Sequence, residues 1–264
     1  MSEIIMVASG KGGVGKTTVA ASIGVSLSQL NKRVCLIDFD FGLRNLDLAL
    51  GLEDMVVFDI VDVALENCKL REAVIKDSKY MSLGFIPASQ FKDGVELTND
   101  KFSSLIAELK RKYDYIIIDC PAGIGENVQL ACEFATMAIV VVNPEPYSLR
   151  DADKLITCIE SHNNIKDTRL VVNRIRKEFV KKGLMLTVND IIEVMGVRLI
   201  GVVPEDKSVI EASIKGIPAV MLKKSKTASR YYDIARRICG ENVPLTDIKR
   251  KRFFFKWSEY IDCS

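Results

Sequence analysis

A chain of 264 residues, 48% hydrophobic and 27% charged, is long enough to bury a sizeable core and too apolar to stay disordered. Its net charge of +2 hides an asymmetry: residues 1–248 carry 32 basic and 33 acidic side chains, while residues 249–264 carry five basic and two acidic, so a broad nucleic-acid face is disfavoured and a short basic tail points to a surface contact. Seven cysteines without a C-x-x-C pair exclude a zinc ribbon or a disulfide framework, and with no signal or transit pattern and no apolar run near the ~20 residues that span a bilayer, a soluble cytoplasmic protein is expected.

In chain order, the segments EIIMVAS, RVCLID, MSLGFIP, YDYIIID, MAIVVVN, TRLVVN and RLIGVVP predict strands. Each is nearly continuous in apolar residues, as strands covered on both faces of a parallel sheet are. Helices are predicted over 17–30, 99–112, 126–134, 148–161, 188–195, 208–215 and 228–239. This alternation gives a doubly wound, mostly parallel α/β sheet of about seven to eight strands with right-handed crossovers. No repeat or low-complexity linker interrupts residues 1–248, expected to form one domain ahead of a separate tail, 249–264. Ligands of such sheets bind at the carboxyl ends of the strands.

The first predicted strand runs directly into GKGGVGKT, Gly10 to Thr17, spaced as G-x-x-x-x-G-K-[ST]. Glycines suit this loop because backbone amides must turn inward and approach phosphate oxygens with no Cβ in the way. Gly10, Lys11, Gly12, Gly13, Val14, Gly15, Lys16, Thr17 and Thr18 therefore form the expected cradle at a helix N-terminus. Lys16 can reach the β- and γ-phosphates, and Thr17 can offer its hydroxyl to Mg²⁺. The second strand ends at Asp38 and Asp40, on one face if the strand continues, where paired carboxylates can hold Mg²⁺ and orient water. Asp119 ends a later strand where a Walker B-type aspartate belongs, and Pro121 and Gly123 after it suit a loop that responds to the γ-phosphate. Asn173, at the end of the sixth strand, offers a donor and an acceptor to an adenine edge. Cys35, Cys132 and Cys158 read as core residues, and His162, in a polar SHNN turn, as a helix C-terminal cap.

The loop KGGVGKT, with its second lysine, resembles the deviant Walker A motif of the MinD/ParA family of P-loop ATPases. The segments DFGLRNLDLALG, PASQ, DCPAGI, NPEPYSLRDAD and GVVPED extend the likeness over essentially the whole chain and are most similar to the MinD branch of that family. The resemblance implies a Mg²⁺-dependent ATPase that forms a homodimer when ATP is bound, with Lys11, Lys16 and Asp40 as catalytic residues. Lys11 would reach the partner subunit's phosphates, placing positive charge where negative charge develops. Asp40 would lie near the attacking water, Asp38, Asp119 and Thr17 near the metal, and Asn173, Arg174, Pro204, Glu205 and Asp206 around the base. Asp151 matches an aspartate that couples nucleotide state to partner surfaces. Cys120 and Gly125 depart from the family pattern without touching these assignments. The branch further implies division-site positioning with a MinC-like division inhibitor and a MinE-like activator. Three other readings are a flagellar-number ATPase of the same family, a ParA-type partition ATPase and an iron–sulfur carrier of the nitrogenase type. The second would need a basic dimer face, and the third cysteines on the dimer axis.

If KRKRFFFKWSEYI becomes helical, Phe253, Trp257, Tyr260 and Ile261 fall on one stripe, with Phe254 beside it and Lys251, Arg252 and Lys256 around it. That is the pattern of an interfacial helix, too short and too charged to span a bilayer. The same residues would also suit a C-terminal segment docked on the body with its aromatics in a groove; the resemblance implies instead reversible attachment to an anionic membrane surface, at the inner face of the cell membrane or in a plastid stroma.

Overall fold

A computed structural model describes residues 2–80, 82–90, 97–222 and 225–245. The tail assigned to membrane contact therefore lies outside the described residues. Among the described residues there are seven strands: β1 (Glu3–Ser9), β2 (Val34–Asp38), β3 (Leu83–Ile86), β4 (Tyr115–Ala122), β5 (Met137–Val142), β6 (Asp167–Ile175) and β7 (Arg198–Pro204). They form one sheet in the order β3-β2-β4-β1-β5-β6-β7, and every named pair is parallel.

The helices in chain order are α1 (Lys16–Gln29), α2 (Leu46–Leu50), α3 (Ile60–Ala64), α4 (Leu70–Ala73), α5 (Asn99–Lys110), α6 (Glu126–Phe134), α7 (Pro146–Glu160), α8 (Lys177–Lys181), α9 (Val188–Met195), α10 (Lys207–Ile214) and α11 (Lys226–Ile238). All seven predicted helices are present, two of them with the expected ends and the other five with ends shifted by no more than two residues. The one-turn helices α2, α3, α4 and α8 are additions, too short for a 3.6-residue period to register.

Alternation along the strands builds two cores. Ile4, Met6 and Ala8 of β1 face one side, where α5, α6, α7 and α9 pack; Ile5 and Val7 face the other, covered by α1, α2 and α11. Residues from Val19 to Ser28 of α1 are buried around its circumference, and its small residues allow this: a Cβ on Gly24 would stand 2.9 Å from the Leu36 side chain of β2. At roughly 25 cal/mol per Å² of apolar area removed from water, these two cores are the main stabilising term.

With β1 at the centre, the chain runs from it outward to β2 and β3 on one side and then from β4 past it to β5, β6 and β7 on the other, so the connections reverse direction at β1. Its carboxyl end is the topological switch point, where such sheets open a ligand crevice.

Candidate active site

The loop after β1 is shaped by contacts that only glycine allows. A Cβ on Gly10 would lie 2.2 Å from the carbonyl carbon of Asp151 and 2.6 Å from the Ala152 nitrogen, so the backbone of α7 rests directly on the loop. Gly13 and Gly15 have φ of +77° and +93°, in the left-handed region that glycine occupies without strain. Gly15 is constrained twice, since a Cβ there would also stand 2.4 Å from Asn173 Nδ2. That Asn173 amide donates to the Val14 carbonyl at 2.7 Å and pins the loop to β6. Gly12 faces open space.

Gly15 is the N-cap of α1, and no side chain caps the helix; its first turn holds no acid. The leading amides thus remain for an anion, favoured further by the helix dipole. Lys16 is buried and donates from Nζ to Asp119 Oδ1 at 2.8 Å. Burial pulls the Lys16 pKa down, yet Asp119, their hydrogen bond, and Cys120 and Asp40 behind them pull harder and hold it above the usual lysine value. Lys11 is exposed, while Thr17 and Thr18 are half-buried at the start of α1.

Asp38 and Asp119 are register partners on adjacent strands, both almost fully buried. Burial and then the neighbouring Asp119 push the Asp38 carboxyl up to about 7. Asp38 Oδ1 accepts the Asp40 amide at 3.0 Å and Oδ2 accepts the Leu46 amide at 3.1 Å, so this one carboxylate folds the loop between β2 and α2. The strand accordingly stops at Asp38. The condition for Asp40 to share its face, a continuing strand, is therefore not met; Asp40 is half-buried and near enough to Lys16 to help raise its pKa. A short side chain capturing the amide two residues on is the usual way such a turn forms.

Asp119 Oδ2 is buried with no hydrogen-bond partner. An orphaned carboxylate oxygen costs free energy unless something else meets it. Together with an uncapped helix N-terminus and the hydroxyl of Thr17, it makes a donor set of hard oxygens that fits Mg²⁺ and a phosphate chain. Beyond Asp119, Gly123 takes φ of +89° and Ile124 is exposed, at the start of the loop leading to α6.

The residues expected around a base are brought to the same edge of the sheet with unequal roles. β6 runs on through Asn173 and Arg174 to Ile175, so these belong to the strand rather than to a loop after it; Arg174, at φ of +57°, marks the irregularity in its pairing with β7. Arg174 and Glu205 are exposed and Pro204 half-buried. Glu205 takes a two-pronged ion pair from Arg176, with Nη2 to Oε1 at 2.8 Å, and sits below the usual carboxylate pKa for that reason.

Asp206 is the most heavily hydrogen-bonded of these residues. It accepts from the Ser208 amide at 2.9 Å, capping α10, and from Ser225 Oγ and Thr227 Oγ1, both at 3.0 Å. Ser225 in turn caps α11. Asp206 therefore ties the starts of two helices together, a role that its D-x-S spacing hints at and the distant Ser225 and Thr227 conceal. Asp151 is half-buried on α7, with its backbone against Gly10. Cys35, Cys120 and Cys132 are fully buried in one core, whereas Cys158 is half-buried. His162 lies with Nδ1 3.0 Å from the Cys158 carbonyl, at the end of α7 as anticipated.

Comparison with known proteins places this arrangement. The profile of a family described as AAA domain matches residues 2–172. The septum site-determining protein MinD of Bacillus subtilis is 45% identical over 246 residues, covering 93% of this chain and 92% of that one. Among solved structures, the MinC:MinD cell division protein complex of Aquifex aeolicus superposes with a TM-score of 0.86 at 41% identity, over 94% of this chain and 99% of that one. The MinD of Pyrococcus horikoshii complexed with Mg-ADP superposes with a TM-score of 0.79 at 33% identity, over 90% and 96%.

Proposed function

The chain belongs to the MinD branch of the MinD/ParA family of P-loop ATPases, and from that premise we propose that it is an ATP-gated, dimerising and membrane-attaching switch that positions the division site by recruiting a division inhibitor. The observation that carries this reading is the buried group beneath the phosphate loop: Lys16 paired to Asp119, with Asp38 beside it and an Asp119 oxygen still unmet.

Gly10 to Thr18 hold the phosphates through backbone amides, with Lys16 exchanging Asp119 for the β- and γ-oxygens. Thr17, Asp38 and Asp119 are the residues that hold Mg²⁺. When bound, that ion supplies positive charge to the phosphate chain. Asp40, two residues past Asp38 and near Lys16, orients the water that attacks the γ-phosphorus. Lys16, and Lys11 from the partner protomer, stabilise charge on the oxygens as the bond to ADP breaks. Lys11 is exposed and Gly12 opens on free space, which suits a loop completed by a second copy. The base rests against Arg174, Pro204 and Glu205, with Asn173 and Asp206 holding the walls.

Residues 1–248 are the ATPase domain and 249–264 the membrane-contacting tail, through Phe253, Phe254, Trp257, Tyr260, Ile261, Lys251, Arg252 and Lys256. One short amphipathic segment binds a bilayer weakly, and pairing two on a dimer adds avidity of roughly 10²–10⁴. Among the described residues no helix is long and apolar enough to cross a membrane. A MinC-like inhibitor is the proposed partner, supported by the related Aquifex protein's occurrence in a MinC:MinD complex; a MinE-like activator would reverse the bound state.

The test is co-sedimentation with anionic liposomes in ATP and in ADP, for the full chain and for a chain ending at Ile248. Pelleting of the full chain in ATP alone supports the proposal. Equal behaviour in both nucleotides, or pelleting of the Lys16→Ala variant in ATP, refutes it.

A further inference from the structure

The carboxyl end of α11 is where the body hands the chain on to the tail, and it is firmly fastened. Gly240, at φ of +84°, ends the helix: its amide donates to the Arg237 carbonyl and the Glu241 amide to the Arg236 carbonyl, both at 3.0 Å. This pair of bonds is how a glycine commonly closes a helix. The Arg236 side chain then reaches forward to Glu241, with Nε 2.8 Å from Oε2.

Arg237 holds the chain that follows. Its guanidinium donates from Nε to the Val243 carbonyl and from Nη2 to the Pro244 carbonyl, both at 2.9 Å, and from Nη1 to the Ile200 carbonyl of β7 at 2.8 Å. The pairing of β7 with β6 steps from Leu199 to Gly201 and skips Ile200, so the arginine meets a carbonyl at an irregularity of the sheet. All three acceptors are main chain, and none is a carboxylate. A planar fork with donors fixed in several directions serves them together, which a lysine ammonium on a flexible stem does not. Arg237 is half-buried, and burial pulls its pKa below the usual arginine value, a cost that these bonds offset.

Placement matters as much as bonding. α11 starts at the nucleotide edge, where Asp206 accepts from Ser225, and its 13 residues carry the chain roughly 20 Å from there at 1.5 Å each. At its far end Cys239 Sγ stands 3.8 Å from the hydroxyl of Tyr115, the first residue of β4, while Arg237 reaches the early part of β7. Residues 241–244 are thus pinned at the amino-terminal edge of the sheet, opposite the phosphate loop. Three residues, 246–248, separate the last described residue from the segment assigned to the membrane.

We propose that Arg237 is a positioning residue for the membrane tail: by tying Val243 and Pro244 to β7 it fixes the point at which the tail leaves the body and keeps the tether short. The proposal rests on the reading of residues 249–264 as the membrane contact. For paired contacts on tethers, effective concentration falls roughly as the −3/2 power of tether length. Releasing Arg237 lengthens the stretch ahead of the tail from three residues to seven, 242–248, and should lower vesicle affinity about three- to fourfold. Twelve Gly/Ser residues inserted after Leu245 should lower it about tenfold with Arg237 untouched.

Flotation in Mg-ATP with vesicles of phosphatidylglycerol and phosphatidylcholine tests it, for the full chain, Arg237→Lys, the Gly/Ser insertion and a chain ending at Ile248. Arg237→Lys keeps the charge and loses the fork. Both altered full-length chains are expected to bind more weakly by those factors, with ATP-dependent dimerisation and lipid-free ATPase activity as in the parent. Hydrogen exchange at Val243 and Leu245 should quicken in Arg237→Lys, and thermal melts check that each chain folds. If the chain ending at Ile248 loses binding but the insertion weakens nothing, the tail reading stands and the exit point is irrelevant, which overturns the proposal. Weakening by the insertion alone, with Arg237→Lys like the parent, removes Arg237 from the role and overturns it too. Loss of the dimer in either variant would make this segment part of the dimer contact and equally overturn it. Vesicle binding by the chain ending at Ile248 as strong as that of the full chain refutes the tail reading, and the clamp with it.

Discussion

Replacing Gly10 with alanine tests how the phosphate loop is held to α7. The added methyl would stand 2.2 Å from the Asp151 carbonyl carbon and 2.3 Å from its oxygen, against the ~3.5–4 Å at which such atoms rest. More than an ångström must be recovered by moving backbone on one side or the other, because both contacts are main chain and neither has a rotamer to change. Overpacking of this kind costs about 1–3 kcal/mol. For a domain of this size each kcal/mol shifts the melting temperature by about 2–4 °C, so a fall of about 3–10 °C is expected in a calorimetric or fluorescence melt without nucleotide. Gly12→Ala is the internal control: same loop, same methyl, nothing within 4 Å, and an expected shift of under about 2 °C. Hydrogen exchange should locate the damage at the first turns of α7 in Gly10→Ala and leave Gly12→Ala like wild type. Equal melting of the two variants would refute the contact, and with it the idea that α7 reads the loop directly.

Other consequences follow from the buried charges and the Asp206 staple. Lys16→Met removes the partner of a buried carboxylate and should cost about 3–5 kcal/mol of stability, as breaking a buried ion pair does; adding Asp119→Asn should restore much of it in chemical denaturation, without restoring nucleotide binding. Asp38 holds its proton up to about 7 when folded, against 3.8 when free, so in that window the native state binds more protons than the unfolded chain. Stability contributed by Asp38 is therefore present at low pH and lost as pH rises through 7, and the fall in melting temperature from about pH 5 to about pH 8 should be shallower in Asp38→Asn. Asp206→Ala strips three hydrogen bonds from the starts of α10 and α11 and should cost about 2–3 kcal/mol in urea melts, while leaving the preference for ATP over GTP unchanged in a competition assay.

The sheet was legible because each strand is an unbroken apolar run, and the phosphate loop because its glycines and lysines sit at fixed offsets between a strand and a helix. Asp38, Asp119 and Lys16 were placed correctly beside one another for the same reason: strand ends in a parallel sheet share one edge. What escaped was governed by contacts distant in sequence. Alternation put Asp40 on the face of Asp38 only if the strand continued, and the Asp38 carboxylate instead captures the Asp40 amide where the strand ends. Asp206 was placed near the base by resemblance alone, and its bonds to Ser225 and Thr227 join residues too far along the chain to be read from spacing. The glycine at position 10 reads as one more phosphate glycine, although its neighbour is a helix more than a hundred residues away.

The central claim is an ATP-gated dimer, and sedimentation velocity measures it most directly. The Asp40→Ala variant, expected to bind Mg-ATP and hydrolyse it slowly, should sediment as a dimer in Mg-ATP and as a monomer in Mg-ADP, with Lys16→Ala monomeric in both. A single monomeric species in both nucleotides, at concentrations where ATP is shown to be bound, would contradict the switch.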